Sequence, residues 1–411
     1  MKSLSLRVAA LLSALAAATV SADDIGTAVA LADPDTHLAA EVDQLASEIV
    51  LTGQVPGLAV ALVRNGRVVL ERGYGERVAG SSQAVDGNTV FRIASLSKTM
   101  TSTLVGVLVD HGYVKWEDRL PDLLPAFQLN DPLAAQNLTL EQLLSHRTGL
   151  PYHALDPLLE ASSSPLDVLS KMSGVRLSCQ PGDCYGYQNV AFSYAADAVF
   201  ASSGSFFPTT LQRELLTPLG MHTTTVGREA FLESSNKALP HVWGPQGQVA
   251  VEPKPNYYWL PAAAGVNSSL HDMTRWLLAQ QGYRPDVLPE ELLQTLHQPR
   301  VETPGESTTS PWRRSRLLSA SYGLGFRIFD YQGHSMVFHA GAVQGFRAIM
   351  AFVPESDVGM VLLWNSNSGV PGGLLPTVFD RWLGLPAHDW LQLDLLRPAL
   401  TAQTGRSRAS G

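Results

Sequence analysis

Strand signals stand at both ends of this 411-residue chain and are sparse in its middle, and that distribution limits its possible folds more than any other feature. Near the start, the runs Leu58 to Val63 and Arg67 to Tyr74 flank Asn65-Gly66, a pair that accepts the positive φ angles of a two-residue hairpin turn. Late in the chain, Tyr322 to Phe329, Val337 to His339, Phe346 to Val353 and Val358 to Trp364 alternate or run apolar, with Pro354-Glu355-Ser356-Asp357 as a hairpin connection. From about Trp116 to about Thr309, Pro and Gly interrupt helical patterns such as Leu138 to Leu144 and Leu270 to Gln281. Leu38, Val42, Leu45 and Ile49 predict an amphipathic helix before the first hairpin, and Pro371 to Trp382 a closing helix. The expected class is α/β in the α+β sense. One antiparallel sheet, built from residues 55–93 and 320–365 and flanked by helices, receives a mostly helical insertion over 95–310. The two regions should meet in a cleft, a common place for a small-molecule site.

The ends read differently from the body. Lys2 and Arg7 flank an apolar stretch from Val8 to Val20, and Val20-Ser21-Ala22 supplies small residues before Asp23-Asp24. This predicts a secretory leader over residues 1–22, cut near Ala22, and hence a periplasmic or secreted protein. The apolar stretch covers about 13 residues, where a membrane span needs about 20. No later stretch reaches that length without charges, so the mature chain is expected to hold no integral membrane segment. Residues 23–390 are expected to form one domain and 391–411 a tail, small and polar from Thr401 onward. A formal charge of −8 argues against nucleic acid as a partner, because phosphate binding needs clustered Lys and Arg. Cys179 and Cys184 are the two cysteines. A local disulfide and two free thiols both stay open from the sequence, and a zinc site on them would lack further ligands.

Chemistry concentrates at Ser95. Met100, Leu104, Val107 and Leu108 lie three or four apart, and the pattern stops at His111-Gly112, so Ser95 and Lys98 sit at a helix start. Residues three apart share a helix face, and a desolvated lysine can give up its proton and help to take one from serine. The pattern alone is weak, since Ser234-Ser235-Asn236-Lys237 also matches it in a polar stretch without an apolar helix behind it. Tyr187-Gln188-Asn189 after Pro181-Gly182, and His339-Ala340-Gly341 in the late strand region, add weight. Taken singly, Tyr187 reads as a core aromatic, Asn189 as a turn residue and His339 as a strand residue.

In this order the three motifs resemble the penicillin-recognising serine hydrolases of the class C β-lactamase and D-alanyl-D-alanine carboxypeptidase group. Val55-Pro56-Gly57-Leu58-Ala59-Val60, Leu143-Leu144-Ser145-His146-Arg147-Thr148-Gly149-Leu150-Pro151, Pro218-Leu219-Gly220-Met221, Asp272-Met273-Thr274-Arg275-Trp276 and Tyr322-Gly323-Leu324-Gly325-Phe326 are similar to family stretches, in family order. The resemblance covers about Leu38 to Trp390 and implies the serine β-lactamase and penicillin-binding-protein fold. It implies Ser95 as nucleophile, Lys98 and Tyr187 sharing its proton, and Asn189 holding Lys98 and the substrate amide. It places His339 and Gly341 on the substrate-binding strand, with the N–H groups of Ser95 and Ala342 as oxyanion hole. The sequence leaves open whether Lys98 or Tyr187 is the principal base. His339 stands where class C β-lactamases have the lysine of Lys-Thr-Gly, and so resembles the peptidase and esterase branches. A neutral imidazole supplies no fixed charge, which would leave a substrate carboxylate to Arg327. The expected activity is hydrolysis of β-lactams or D-amino-acid peptide amides through an acyl-enzyme. An esterase on small acyl esters and a non-catalytic peptidoglycan-binding relative are the alternatives. The partners are thus small molecules or peptides, with no cofactor and no metal, since no His-Glu-x-x-His or comparable ligand set occurs.

Overall fold

In a computed structural model, which describes residues 34–161 and 163–396, Asn65 and Gly66 both take positive φ, 50° and 68°, as the hairpin requires. The leader over 1–22 and the polar end from 397 lie outside the described residues. The hairpin joins β1 (Gly57–Arg64) to β2 (Arg67–Gly75). The strands that follow are β3 (Val90–Arg92), β4 (Thr225–Val226), β5 (His241–Gly244), β6 (Gly247–Ala250), β7 (Val266–Ser269) and β8 (Val301–Glu302). The last five are β9 (Leu317–Tyr322), β10 (Arg327–Tyr331), β11 (His334–Val343), β12 (Phe346–Val353) and β13 (Val358–Trp364). Eight of them make one antiparallel sheet in the order β2-β1-β13-β12-β11-β10-β9-β8. The two ends of the chain meet at β1 and β13, where Leu58 pairs with Trp364 and Arg64 with Val358.

The sheet is covered on both faces, which is why its central strands run apolar instead of alternating with polar residues. Ala59, Ala61 and Val63 of β1, with Val361 and Leu363 of β13, join the core shared with the helical region. Leu58, Val60 and Leu62, with Met360 and Leu362, face the opposite core. Helix α1 (Pro34–Leu51) and the helix Leu374–Trp382 close that second core through Leu38, Val42, Ala46, Ile49, Val378 and Phe379. A period of two thus serves two interiors at once.

Three boundaries differ from the sequence reading. Val90–Arg92 does not extend the main sheet; β3 pairs with β7, which also pairs with β4, in a separate three-stranded sheet. The run Tyr322 to Phe329 is two strands, because the chain turns at Gly323–Phe326 with Gly325 at φ 78° against α2 (Ser97–Asp110), where a Cβ would lie 2.6 Å from the Lys98 carbonyl. The tail also begins later, since Leu391 and Leu393 are buried in the second core and Leu393–Leu396 is helical. Cys179 and Cys184 are joined, closing the loop ahead of Tyr187.

Helix α2 carries the site through the middle of the protein, and residues 97 to 108 are all buried. A helix rich in Ser and Thr can be buried because its hydroxyls find carbonyls. Thr99 Oγ1 donates to Leu96 O at 2.7 Å, Thr103 Oγ1 to Thr99 O at 2.8 Å, and Thr101 Oγ1 to Ala262 O at 2.7 Å.

Candidate active site

Ser95 lies in a single 3₁₀ turn, Ala94–Leu96, that leads into α2. The preceding residue, Ala94, is held at φ 48°, a left-handed conformation that costs an alanine about 1 kcal/mol or more. Ser97 Oγ secures the turn by donating to Ala94 O at 2.6 Å and accepting from the Val266 N–H at 3.1 Å. Ser95 itself stays partly accessible among buried neighbours.

Lys98 is wholly buried and makes three contacts: Nζ lies 3.3 Å from Ser95 Oγ, 2.7 Å from Asn189 Oδ1 and 3.0 Å from Ala263 O. Burial pushes its ammonium down to about 7, against the upward pull of Asp156, and Arg327 adds to the lowering. Tyr187 is also buried, with its hydroxyl close enough to Ser95 to feel it, so Ser95 Oγ stands between a lysine and a tyrosine. Desolvation holds the phenol above its ordinary range, with Arg327 and Ser95 pulling the other way. The Lys98 ammonium sits over the Tyr187 ring, 4.7 Å from its centre. Tyr187 is therefore a neutral hydroxyl near neutral pH, and Lys98 is the group of the pair that can be deprotonated there.

The open edge of β11 follows from turn geometry. The pairs Tyr331/His334 and Val343/Phe346 each close a two-residue connection, which makes them hydrogen-bonded pairs of their ladders. Even-numbered residues of β11 therefore aim their N–H and C=O at β10, and odd-numbered ones at β12. Pairing with β10 stops where Arg327 faces Phe338, so Ala340 and Ala342 look onto an open edge. That edge faces the Ser95 turn, because a Cβ on Gly341 would lie 2.1 Å from Ile93 O and 3.2 Å from Ala94 Cβ. Only a glycine lets strand and turn approach so closely. Gly341→Ala should lower kcat about 10²-fold by pushing the strand away, and should lower the melting temperature; steady-state kinetics and a thermal melt on one preparation check both.

His339 is buried and locked neutral. Its Nδ1 lies 2.8 Å from the Ala340 carbonyl, which can only accept, so the proton is on Nδ1 and Nε2 accepts from the Tyr322 hydroxyl at 3.2 Å. Burial, then Arg327 and Lys98, hold its pKa well below the ordinary value. Arg327 is placed near the site but already has a carboxylate. Its Nη1 is 2.6 Å from Glu306 Oε1, and Arg313 takes the same carboxylate's other oxygen. Burial works against its charge, yet Tyr185 and Glu306 outweigh that and keep the guanidinium protonated. Arg327 thus lies beside the site with Glu306 as an internal carboxylate partner, which any substrate carboxylate would have to share. The rival pair Ser234 and Lys237 resolves into backbone bonding, with Lys237 Nζ donating to Ser234 O at 2.8 Å. Among the described residues no three His, Cys, Asp or Glu side chains gather as a metal site, and no helix is long and apolar enough to cross a membrane.

The family model described as Beta-lactamase matches residues 40–378. The chain belongs to the β-lactamase family. As a member of this family it is similar to protein flp of Staphylococcus aureus (strain MW2), at 24% identity over 80% of this chain and 63% of that protein, so it spans under two thirds of that relative's length. Two solved structures share the fold. One is the octameric penicillin-binding protein homologue from Pyrococcus abyssi, with TM-score 0.74 and 20% identity over 84% of this chain and 77% of that one. The other is a D-stereospecific amidohydrolase from Streptomyces sp., with TM-score 0.65 and 18% identity over 82% and 98%.

Several groups at this β-lactamase-family site escape the motif reading. His146 follows the helix Leu140–Leu144 at φ 57°, packs 4.3 Å from the Tyr187 ring centre, and accepts the Gln188 N–H on Nδ1 at 3.2 Å. The motif stretch Ser145-His146-Arg147 contained it, but nothing local says that it lies under the tyrosine. Asp156 accepts from Asn189 Nδ2 at 2.7 Å, and in sequence it reads only as an acid before Pro157. Glu306, in a Pro-Gly loop, carries no signal at all. A cavity of about 710 Å³ opens beside Tyr152, Tyr185 and Glu306; it adjoins the site without being lined by Ser95, Lys98 or His339.

Proposed function

We propose that this enzyme hydrolyses amides or esters through an acyl-enzyme on Ser95, with Lys98 as the base and Tyr187 as the acid. The observation that carries the reading is the Lys98 Nζ to Ser95 Oγ contact of 3.3 Å on a lysine whose pKa is lowered to about 7. Neutral Lys98 takes the Ser95 proton as Oγ adds to the carbonyl carbon. The oxyanion that forms is met by the Ser95 N–H, free at the start of a helix, and by the Ala342 N–H on the open edge of β11. Such a pair contributes several kcal/mol to the barrier, about 3 to 4 for one well-placed donor. As the intermediate collapses, Tyr187 O–H protonates the leaving nitrogen or oxygen and is re-supplied by the Lys98 ammonium. Water, activated by the same groups, then releases the acyl chain.

The substrate class follows from charge. Neutral His339 offers no cation to a carboxylate beside the scissile bond, and Arg327 is already engaged by Glu306. This favours peptide amides or small esters without such a carboxylate over β-lactams. The D-stereospecific amidohydrolase among the structural neighbours supports D-amino-acid amides as the first class to try. Turnover of D-alanine p-nitroanilide, a p-nitrophenyl ester and nitrocefin should rank nitrocefin last, and a free carboxylate on an otherwise matched peptide should raise KM. Nitrocefin turnover above that of the other two would overturn this choice. Export belongs to the same proposal, supported by the leader pattern and the Cys179–Cys184 disulfide, which suits an oxidising compartment. A mature N-terminus at Asp23 is the expected result of N-terminal sequencing.

A further inference from the structure

Asn189 is bonded at both ends of its amide. Oδ1 accepts from Lys98 Nζ at 2.7 Å, and Nδ2 donates to Asp156 Oδ2 at 2.7 Å. An ammonium can only donate and an ionised carboxylate can only accept, so the two fix one orientation of the amide. A flip would set N–H against Nζ and oxygen against carboxylate. Asp156 is 6% exposed, and His153 Nδ1 bonds the same Oδ2. The backbone N–H of His153 donates to the backbone carbonyl of Tyr187 at 2.8 Å, so the loop bearing the acid is fastened to the Tyr-x-Asn segment. The other oxygen, Asp156 Oδ1, is buried with no hydrogen-bond partner among the described residues. A helix-start acid serving only structure would not need to be left so incompletely compensated.

We propose that Asp156 is a positioning residue of the active site: through Asn189 it fixes the amide that holds Lys98 Nζ against Ser95 Oγ. It rests on the reading that Lys98 activates Ser95. Its charge also acts on Lys98. The groups facing Lys98 are Tyr187, Asp156 with His153 beside it, the neutral His146 and His339, and Arg327 from β10. Behind Arg327, Glu306 is engaged by Arg313 as well. Asp156 is the carboxylate in this set that favours the protonated lysine, with burial and Arg327 opposing it.

The test is the pH profile of Asp156→Asn in the full-length mature enzyme, measured with a p-nitrophenyl ester beside wild type and Ser95→Ala. Loss of the charge should move the acid limb of kcat/KM to lower pH by about one unit. Loss of the orienting acceptor should lower kcat by about 10²-fold with KM little changed. A purely structural residue would change the melt and leave the limb in place. The double variant Asp156→Asn/Asn189→Asp keeps one carboxylate and one amide in the same volume, with the carboxylate now directly on Lys98. It should recover about tenfold of the lost kcat above the limb and move the limb above that of wild type. A folded Asp156→Asn enzyme with an unmoved limb overturns the proposal; if that variant does not fold, a double variant with an unmoved limb does. Activity surviving Ser95→Ala would instead overturn the acyl-enzyme reading, whatever Asp156 does.

Discussion

Lys98→Met is expected to lower kcat/KM by about 10²- to 10⁴-fold, the range for losing a positioned base, while leaving thermal stability unchanged or higher. The two outcomes come from the same fact. Lys98 is completely buried, and its pKa of about 7 lies far below the value an exposed lysine has in the unfolded chain. The folded state therefore carries a charging penalty on this group below pH 7. The unfolded chain binds the proton more tightly between pH 7 and about 10.4, so this contribution to stability rises with pH across that window. Methionine has similar length and no charge, so it removes the penalty along with the base. For the wild type, kcat/KM should rise with pH through about 7 as Lys98 loses its proton. A Lys98→Met enzyme with wild-type turnover, or a profile flat through neutral pH, would contradict the assignment.

Tyr187→Phe should cost about 10²- to 10³-fold on an amide and much less on a p-nitrophenyl ester. The hydroxyl is neutral, because desolvation holds its pKa above the ordinary value, and it lies beside Ser95. It is therefore suited to giving a proton to a leaving group and poorly suited to standing as a phenolate. An anilide or peptide nitrogen needs that proton to depart, whereas p-nitrophenolate leaves without it. Equal losses on both substrates would mean that Tyr187 serves chiefly as a base or as packing against His146.

The scaffold was readable from the residues because its strands obey local rules. Asn65-Gly66 marks its hairpin through backbone geometry, and the apolar runs of β1, β12 and β13 mark a sheet buried on both faces. The contact between Ser95 and Lys98 was readable for a different reason: the two are three apart across the start of α2, so their spacing carries it. What stayed hidden was side-chain pairing between distant segments that carry no motif. Gly323 and Gly325 sit inside an apolar run that looks like one strand, and only the close approach of Gly323 to the Leu296 and Gln298 carbonyls and of Gly325 to α2 makes them a turn. Arg327 looked free because its partner Glu306 lies in a loop with no pattern. Asp156 and His146 meet Asn189 and Tyr187 across more than thirty residues, a distance over which no periodicity speaks.

The central claim is a covalent intermediate on Ser95, and the direct measurement is mass spectrometry of the enzyme quenched during turnover of a slow acyl donor, followed by peptide mapping. A single adduct with the mass of the acyl group on the peptide containing Ser95, decaying at the rate of turnover and missing in Ser95→Ala, is the predicted result. Turnover without an adduct, an adduct on another residue, or undiminished hydrolysis by Ser95→Ala would contradict it.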